Sequence, residues 1–199
     1  MIGNVLELLM FFIINTIRVL SYFGIFILCA AESACIPIPS EIIMPFSGFL
    51  IAQGSFNFII VIIAATVGEL MGGNIAYFIG KNGGRKLIER YGKYILISHH
   101  DLNIADRWFS KYGEKMVFLG RLLPIIRTYI SFPAGVAKMR YSRFAIFTIL
   151  GTLPWVIILT LAGIKLGNNW QIIRLYFHKF DILILALIIV GVLWYIWRH

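Results

Sequence analysis

Apolar residues along this chain gather in long runs instead of recurring on one face. Phe58 to Ile79 carries a single charge, Glu69, while Phe144 to Gly163 and Ile182 to Trp197 carry none. The first two runs are long enough to cross a bilayer as helices, and the third reaches with its flanks. Two further greasy stretches are interrupted, one reading ESACIPIPSE from Glu32 to Glu41 and one reading RLLPIIR from Arg121 to Arg127. Proline removes a backbone donor and disfavours helix at the residue before it, and in hydrocarbon the freed groups must be satisfied elsewhere. Pro37, Pro39 and Pro124 therefore predict hairpins that dip into the membrane, turn where protein or water bonds the broken backbone, and leave by the face they entered.

The interrupted stretches follow one plan. Counting from Gly24, a charge (Glu32) comes eight residues later; counting from Gly113, a charge (Arg121) again comes eight later. Each stretch then meets proline and a second charge (Glu41; Arg127), and leaves through Pro and Gly (Pro45 and Gly48; Pro133 and Gly135). Each is followed by a spanning run that closes in glycines, near Gly80 and Gly163. The predicted fold is an all-α integral membrane protein: an inverted repeat of two re-entrant helical hairpins, each followed by a transmembrane helix, plus a C-terminal transmembrane helix. The expected boundaries are an N-terminal helix over 1–19, a first hairpin over 20–52, a transmembrane helix over 57–80, a basic loop over 81–115, a second hairpin over 116–137, and transmembrane helices over 142–164 and 181–198. Interrupted segments in corresponding halves mark the substrate site of secondary transporters.

Composition agrees. The chain is 60% hydrophobic and 14% charged with a mean hydropathy of +0.86, outside the balance of a soluble domain. Eight basic side chains lie between Lys81 and Lys115 against four acids, which predicts a cytoplasmic loop; Arg18, Lys165, Arg174 and Lys179 fall on the other side. Within that loop Ser98 to Gly113 has helical spacing, read as a helix on the membrane surface or as one packed on the bundle. No basic domain separates from the membrane part, so nucleic acid is not an expected partner. Met1 to Ile17 contains Glu7 and no Lys or Arg, so no cleavable leader is expected. Cys29 and Cys35 read as small core residues, His99, His100, His178 and His199 fall at polar or terminal positions, and no metal or cofactor is expected.

The candidate chemistry lies in the hairpins. Lone charges at membrane depth are costly and normally face one another or a wet cavity, so Glu32 and Glu41 are expected opposite Arg121 and Arg127. Arginine suits a bidentate anion contact, phosphate above all. A carboxylate in such a place can take up a proton and so couple it to a conformational change. Glu69, in GELMGGNIAY, reads either as a member of the cluster or as a charge beside Asn74, with Gly68 and Gly72 forming a close-packing face. The plain alternative is a static set of ion pairs holding two hairpins together.

These elements carry a resemblance. IPIPSE, GGNIAYFIGKNGG, the run from Gly120-Arg121 through Pro124 and Arg127 to Ala134-Gly135, and GTLPWVIILTLAGIKLG resemble the DedA family of bacterial membrane proteins, which share a domain with eukaryotic lipid scramblases. The resemblance implies flippases that move undecaprenyl phosphate or phosphatidylethanolamine with some dependence on the proton motive force. It implies essential acids at Glu32 and Glu41 and essential arginines at Arg121 and Arg127. Many members carry an acid where this chain has Gly73.

The expected function is therefore a non-enzymatic lipid translocase of the bacterial cytoplasmic membrane, with Arg121 and Arg127 binding the headgroup and Glu32, Glu41 and Glu69 gating. Membrane lipids and protons are its expected partners, and a homo-oligomer is left open. Phosphatidylethanolamine as substrate, a proton-coupled exporter of small cations or drugs, and an enzyme acting on the same lipid are the alternatives.

Overall fold

Where the chain breaks its helices decides this architecture. The computed structural model describes residues 2–36, 38–95, 109, 113 and 115–167. These residues hold seven helices: α1 (Ile2–Ser33), α2 (Ser40–Ala52), α3 (Phe58–Ile95), α4 (Lys115–Arg121), α5 (Pro124–Tyr129), α6 (Ser131–Val136) and α7 (Tyr141–Leu166). Three segments are long and apolar enough to cross a membrane: Leu8–Ser33, Phe58–Gly83 and Tyr141–Leu166. The chain is a multi-pass membrane protein.

The faces of the spanning helices are arranged for lipid. On α3, Ile60, Ile63, Val67, Met71, Ile75 and Phe78 point outward, whereas Gly68, Glu69, Gly72 and Gly73 point inward. On α7, Ile146, Leu150 and Ile158 face out, and Thr148, Gly151, Thr152 and Thr160 face in. Lipid offers no hydrophobic drive for helix contact, so small residues that let backbones approach take the inner positions. As the sequence suggests for Gly68 and Gly72, a side chain there would strike the α1 backbone at Phe26 and Ala30.

Helix α1 runs across the boundary expected at residue 20 and is broken one residue later, at Ser21 (φ 53°, ψ −131°). Its second arm ends at Ser33, the chain turns through Cys35 (φ 71°) and Pro39 in extended conformation, and α2 begins at Ser40. Pro37 lies outside the described residues. In the later stretch α4 stops at Arg121, Leu123 is extended, and Pro124 opens α5 at a position where its missing N–H costs nothing. The helical run then bends through Ile130 into α6.

Two crossings knit these pieces together in reciprocal fashion. A side chain at Gly48 of α2 would meet Thr160 O of α7, and one at Gly163 of α7 would meet Pro45 O of α2. Likewise a side chain at Gly80 of α3 would meet Phe132 O of α6, and one at Gly135 of α6 would meet Tyr77 O of α3. The Pro-Gly exit of each interrupted stretch thus packs on the glycine near the end of a spanning helix from the other half. One apolar core, with Ile13, Ile25, Leu28, Ile43 and Val61, lies by α1 and α2; a second, with Tyr77, Val117, Ala134 and Phe144, lies by α4 and α6.

The helix that holds the span expected over 57–80 continues to Ile95, while its membrane-length apolar part runs Phe58–Gly83. Gly80 serves close packing instead of termination, and the cost of a mid-helix glycine, about 1 kcal/mol, does not stop a helix that is anchored by packing. Of the surface helix expected between Ser98 and Gly113, only Phe109 and Gly113 are described; Phe109 packs on the second core and accepts from Gly113 N at 2.8 Å. The expected helix over 181–198 lies outside the described residues.

Candidate functional site

All seven helices meet at one charged cluster. Arg121, at the end of α4, is 1% exposed, and Arg127, in α5, is 3% exposed. Glu69 of α3 stands between them. Its Oε2 accepts from Arg121 Nη1 at 2.7 Å and its Oε1 accepts from Arg127 Nη2 at 3.2 Å. Glu32, near the end of α1, accepts from Arg127 Nη2 through Oε1 at 2.6 Å. Two carboxylates thus face two guanidiniums, one formal negative group for each positive one.

Three serines complete it. Arg121 Nη2 donates to Ser33 Oγ at 3.0 Å and to Ser131 Oγ at 2.8 Å, and Arg127 Nη2 donates to the hydroxyl of Ser40. The guanidinium of Arg127 lies over the indole of Trp155 on α7, 5.4 Å from the ring centroid, in cation–π range. Several buried polar atoms here have no protein partner: Glu32 Oε2, the Nε of both arginines, Thr148 and Thr152 Oγ1, and Trp155 Nε1.

The broken helices explain this convergence. A helix that begins or ends inside the bundle delivers its terminal side chains to the interior, and Ser33, Ser40 and Arg121 are terminal residues of α1, α2 and α4. Gly73, one turn past Glu69, leaves the space that Arg121 fills: a Cβ there would sit 2.7 Å from Arg121 Nη2.

Of the residues singled out from sequence, the structure brings Glu32, Arg121, Arg127 and Glu69 into direct contact. Asn74 is not the partner of Glu69; its Oδ1 is unpartnered. Glu41 makes no ion pair among the described residues. It is half-buried in the first turn of α2, where its charge still bears on Glu32 and Arg127. Neighbouring helix positions differ by about 100° in direction, so with Ser40 facing Arg127, Glu41 faces elsewhere. Ser33, Ser40, Ser131 and Trp155 were not singled out. Two of the serines adjoin the flagged acids in sequence, whereas nothing distinguishes Trp155 from a packing aromatic.

A buried Arg–Glu cluster inside a shell of outward-facing apolar side chains defines a class of membrane protein in which paired charges meet an interrupted helical backbone. Residues 38–165 match the VTT domain. The chain is 37% identical over 156 residues to undecaprenyl phosphate transporter A of Bacillus subtilis, covering 77% of this chain and 79% of that one. It is 31% identical over 182 residues to undecaprenyl phosphate transporter A of Staphylococcus aureus (89% and 90%), and 38% identical over 181 residues to an alkaline phosphatase-like protein of Lactococcus lactis (88% and 85%). No solved structure matches. The chain belongs to the VTT-domain family, the DedA family of the sequence resemblance.

Proposed function

We propose that the protein is a lipid translocase of the bacterial cytoplasmic membrane that carries a phosphate-headgroup lipid, with undecaprenyl phosphate the first candidate. The observation that carries this reading is the pair Arg121 and Arg127, two buried guanidiniums on interrupted helices whose counter-ions are the carboxylates Glu32 and Glu69. A structural pin needs less, because buried ion pairs rarely add net stability. The names of the Bacillus and Staphylococcus relatives support the lipid.

The headgroup phosphate enters the cluster and takes over hydrogen bonds that Glu32 and Glu69 now accept, while the tail stays in the bilayer. It leaves when the carboxylates reclaim the arginines. A proton on either acid removes its charge and loosens its arginine, which couples the cycle to the proton gradient. Glu41 gates from the first turn of α2. The second arm of α1 with α2, and α4 with α5 and α6, act as two re-entrant hairpins of an inverted repeat, a plan suited to alternating access. The reciprocal glycine crossings support that pairing. An enzyme on the same lipid would need a nucleophile beside a base, but Ser33, Ser40 and Ser131 each meet a guanidinium, a donor.

The test is movement of fluorescent undecaprenyl phosphate in proteoliposomes, with phosphatidylethanolamine as competitor. Selective movement that is lost in Arg121→Ala and Arg127→Ala supports the reading; equal movement in wild type and variants overturns it.

A further inference from the structure

Hydroxyls in a membrane helix ordinarily turn back onto the carbonyl one turn earlier. Thr160 of α7 does so, donating to Val156 O at 2.7 Å, and Thr16 and Ser47 bond Phe12 O and Ile43 O in the same way at 2.8 Å. Thr148 and Thr152 on the same α7 do not. Both are buried, at 0% and 2% exposure, and both hydroxyls are unpartnered. With Trp155 they recur at intervals of four and three residues, which sets them on one helix face. That face lies against both arginines. Trp155 stacks on Arg127, and Gly151, between the two threonines, lies against the stem of Arg121, whose Cβ would be 2.6 Å from a side chain there.

The unpartnered groups on this side share a sign. Arg121 Nε, Arg127 Nε and Trp155 Nε1 are donors only, and the two threonine hydroxyls can donate. Arg121 Nη1 and Nη2 and Arg127 Nη2 are taken by Glu32, Glu69 and the three serines, whereas the Nε–H of each arginine has no protein partner. A single water accepts about two hydrogen bonds, whereas a phosphate oxyanion accepts from many donors at once and is the stronger acceptor. Glu32 Oε2 is an unpartnered acceptor of the same cluster.

We propose that the Thr148–Thr152–Trp155 face of α7 is the second wall of an oxyanion cradle, in which Trp155 Nε1 and the threonine hydroxyls position a phosphate group against Arg121 and Arg127. This rests on the phosphate reading above and deepens it. The arginines supply charge; α7 supplies orientation, and it favours a terminal phosphate, whose several free oxygens can meet donors on both walls.

The experiment measures binding of farnesyl phosphate, and separately of inorganic phosphate, to the purified full-length protein in nanodiscs. Wild type is compared with Trp155→Phe, which keeps a ring over Arg127 but removes the N–H, and with Thr152→Val and Thr152→Ser. Trp155→Phe and Thr152→Val should each weaken binding about tenfold, the size of one hydrogen bond to a charged group, with unchanged melting temperature. Thr152→Ser should bind as wild type. Weakening in the farnesyl phosphate arm alone assigns the cradle to a lipid headgroup, and weakening in both arms supports a site for the phosphate group itself. Wild-type binding that neither variant alters overturns the cradle and leaves the translocase reading standing. Failure of the wild type to bind either probe overturns both.

Discussion

Glu32 accepts from Arg127 at 2.6 Å through Oε1, while its Oε2 meets no protein group. A buried ion pair in this state is poorly suited to be a rivet. It holds its partner with one oxygen and keeps the other for a proton, a water or a rearranged neighbour, so the pair is tight and half-committed at once.

Breaking such a pair from one side leaves a buried charge alone. Arg127→Ala should destabilise the protein by about 3–5 kcal/mol, whereas adding Glu32→Gln to it should recover a good part of that loss. Thermal unfolding in detergent of the two single variants and the double variant checks the coupling.

Glu69 touches both arginines and Glu41 touches neither. Glu69→Gln should therefore lower lipid transport in proteoliposomes at least about tenfold, the weight of a hydrogen-bonded charge, and Glu41→Gln should lower it less. A reversed order would place the working acid on α2.

Two neighbouring glycines should fail in different ways. A side chain at Gly72 meets the α1 backbone at Ala30, so Gly72→Ala should reduce the amount of folded protein, with overpacking of about 1–3 kcal/mol. The nearest atoms to a side chain at Gly73 are side-chain ends, those of Arg121, Ser131 and Ser33. Gly73→Ala should fold to near-normal yield and lose transport; gel-filtration yield and transport rate, measured on both variants, separate the outcomes.

The reciprocal crossings predict matched behaviour. Gly163→Ala and Gly135→Ala both push a methyl onto backbone, at Pro45 and Tyr77 respectively, and each should lower the melting temperature by a similar amount, again about 1–3 kcal/mol in stability. Strongly unequal shifts would argue that the two crossings are not equivalent.

Much of this site can be read from the chain because charge in an apolar run is conspicuous. Arg121, Arg127 and Glu32 stand out for that reason, and the prolines mark where the helices break. The choice between Ser40 and Glu41 is not legible. It depends on the residue at which α2 begins, and a short helix after two prolines has no periodicity to fix its phase. Glu69 is ambiguous because a lone acid in a spanning helix reads equally as a cluster member or a partner of Asn74, and only the approach of α4 decides. Trp155 is silent in sequence, since an indole in a greasy helix looks like packing until a guanidinium is found on its face. The continuation of α3 past Gly80 is hidden because a glycine used for close contact and a glycine used as a stop are the same letter.

The order of charges along the chain has a consequence for how the protein is made. Glu32 precedes Arg127 by 95 positions and Glu69 precedes Arg121 by 52. At roughly 5–20 residues per second of synthesis, both acids reach the membrane seconds before the arginines that neutralise them have left the ribosome. A chain cut short before Arg127 keeps Glu32 without its guanidinium.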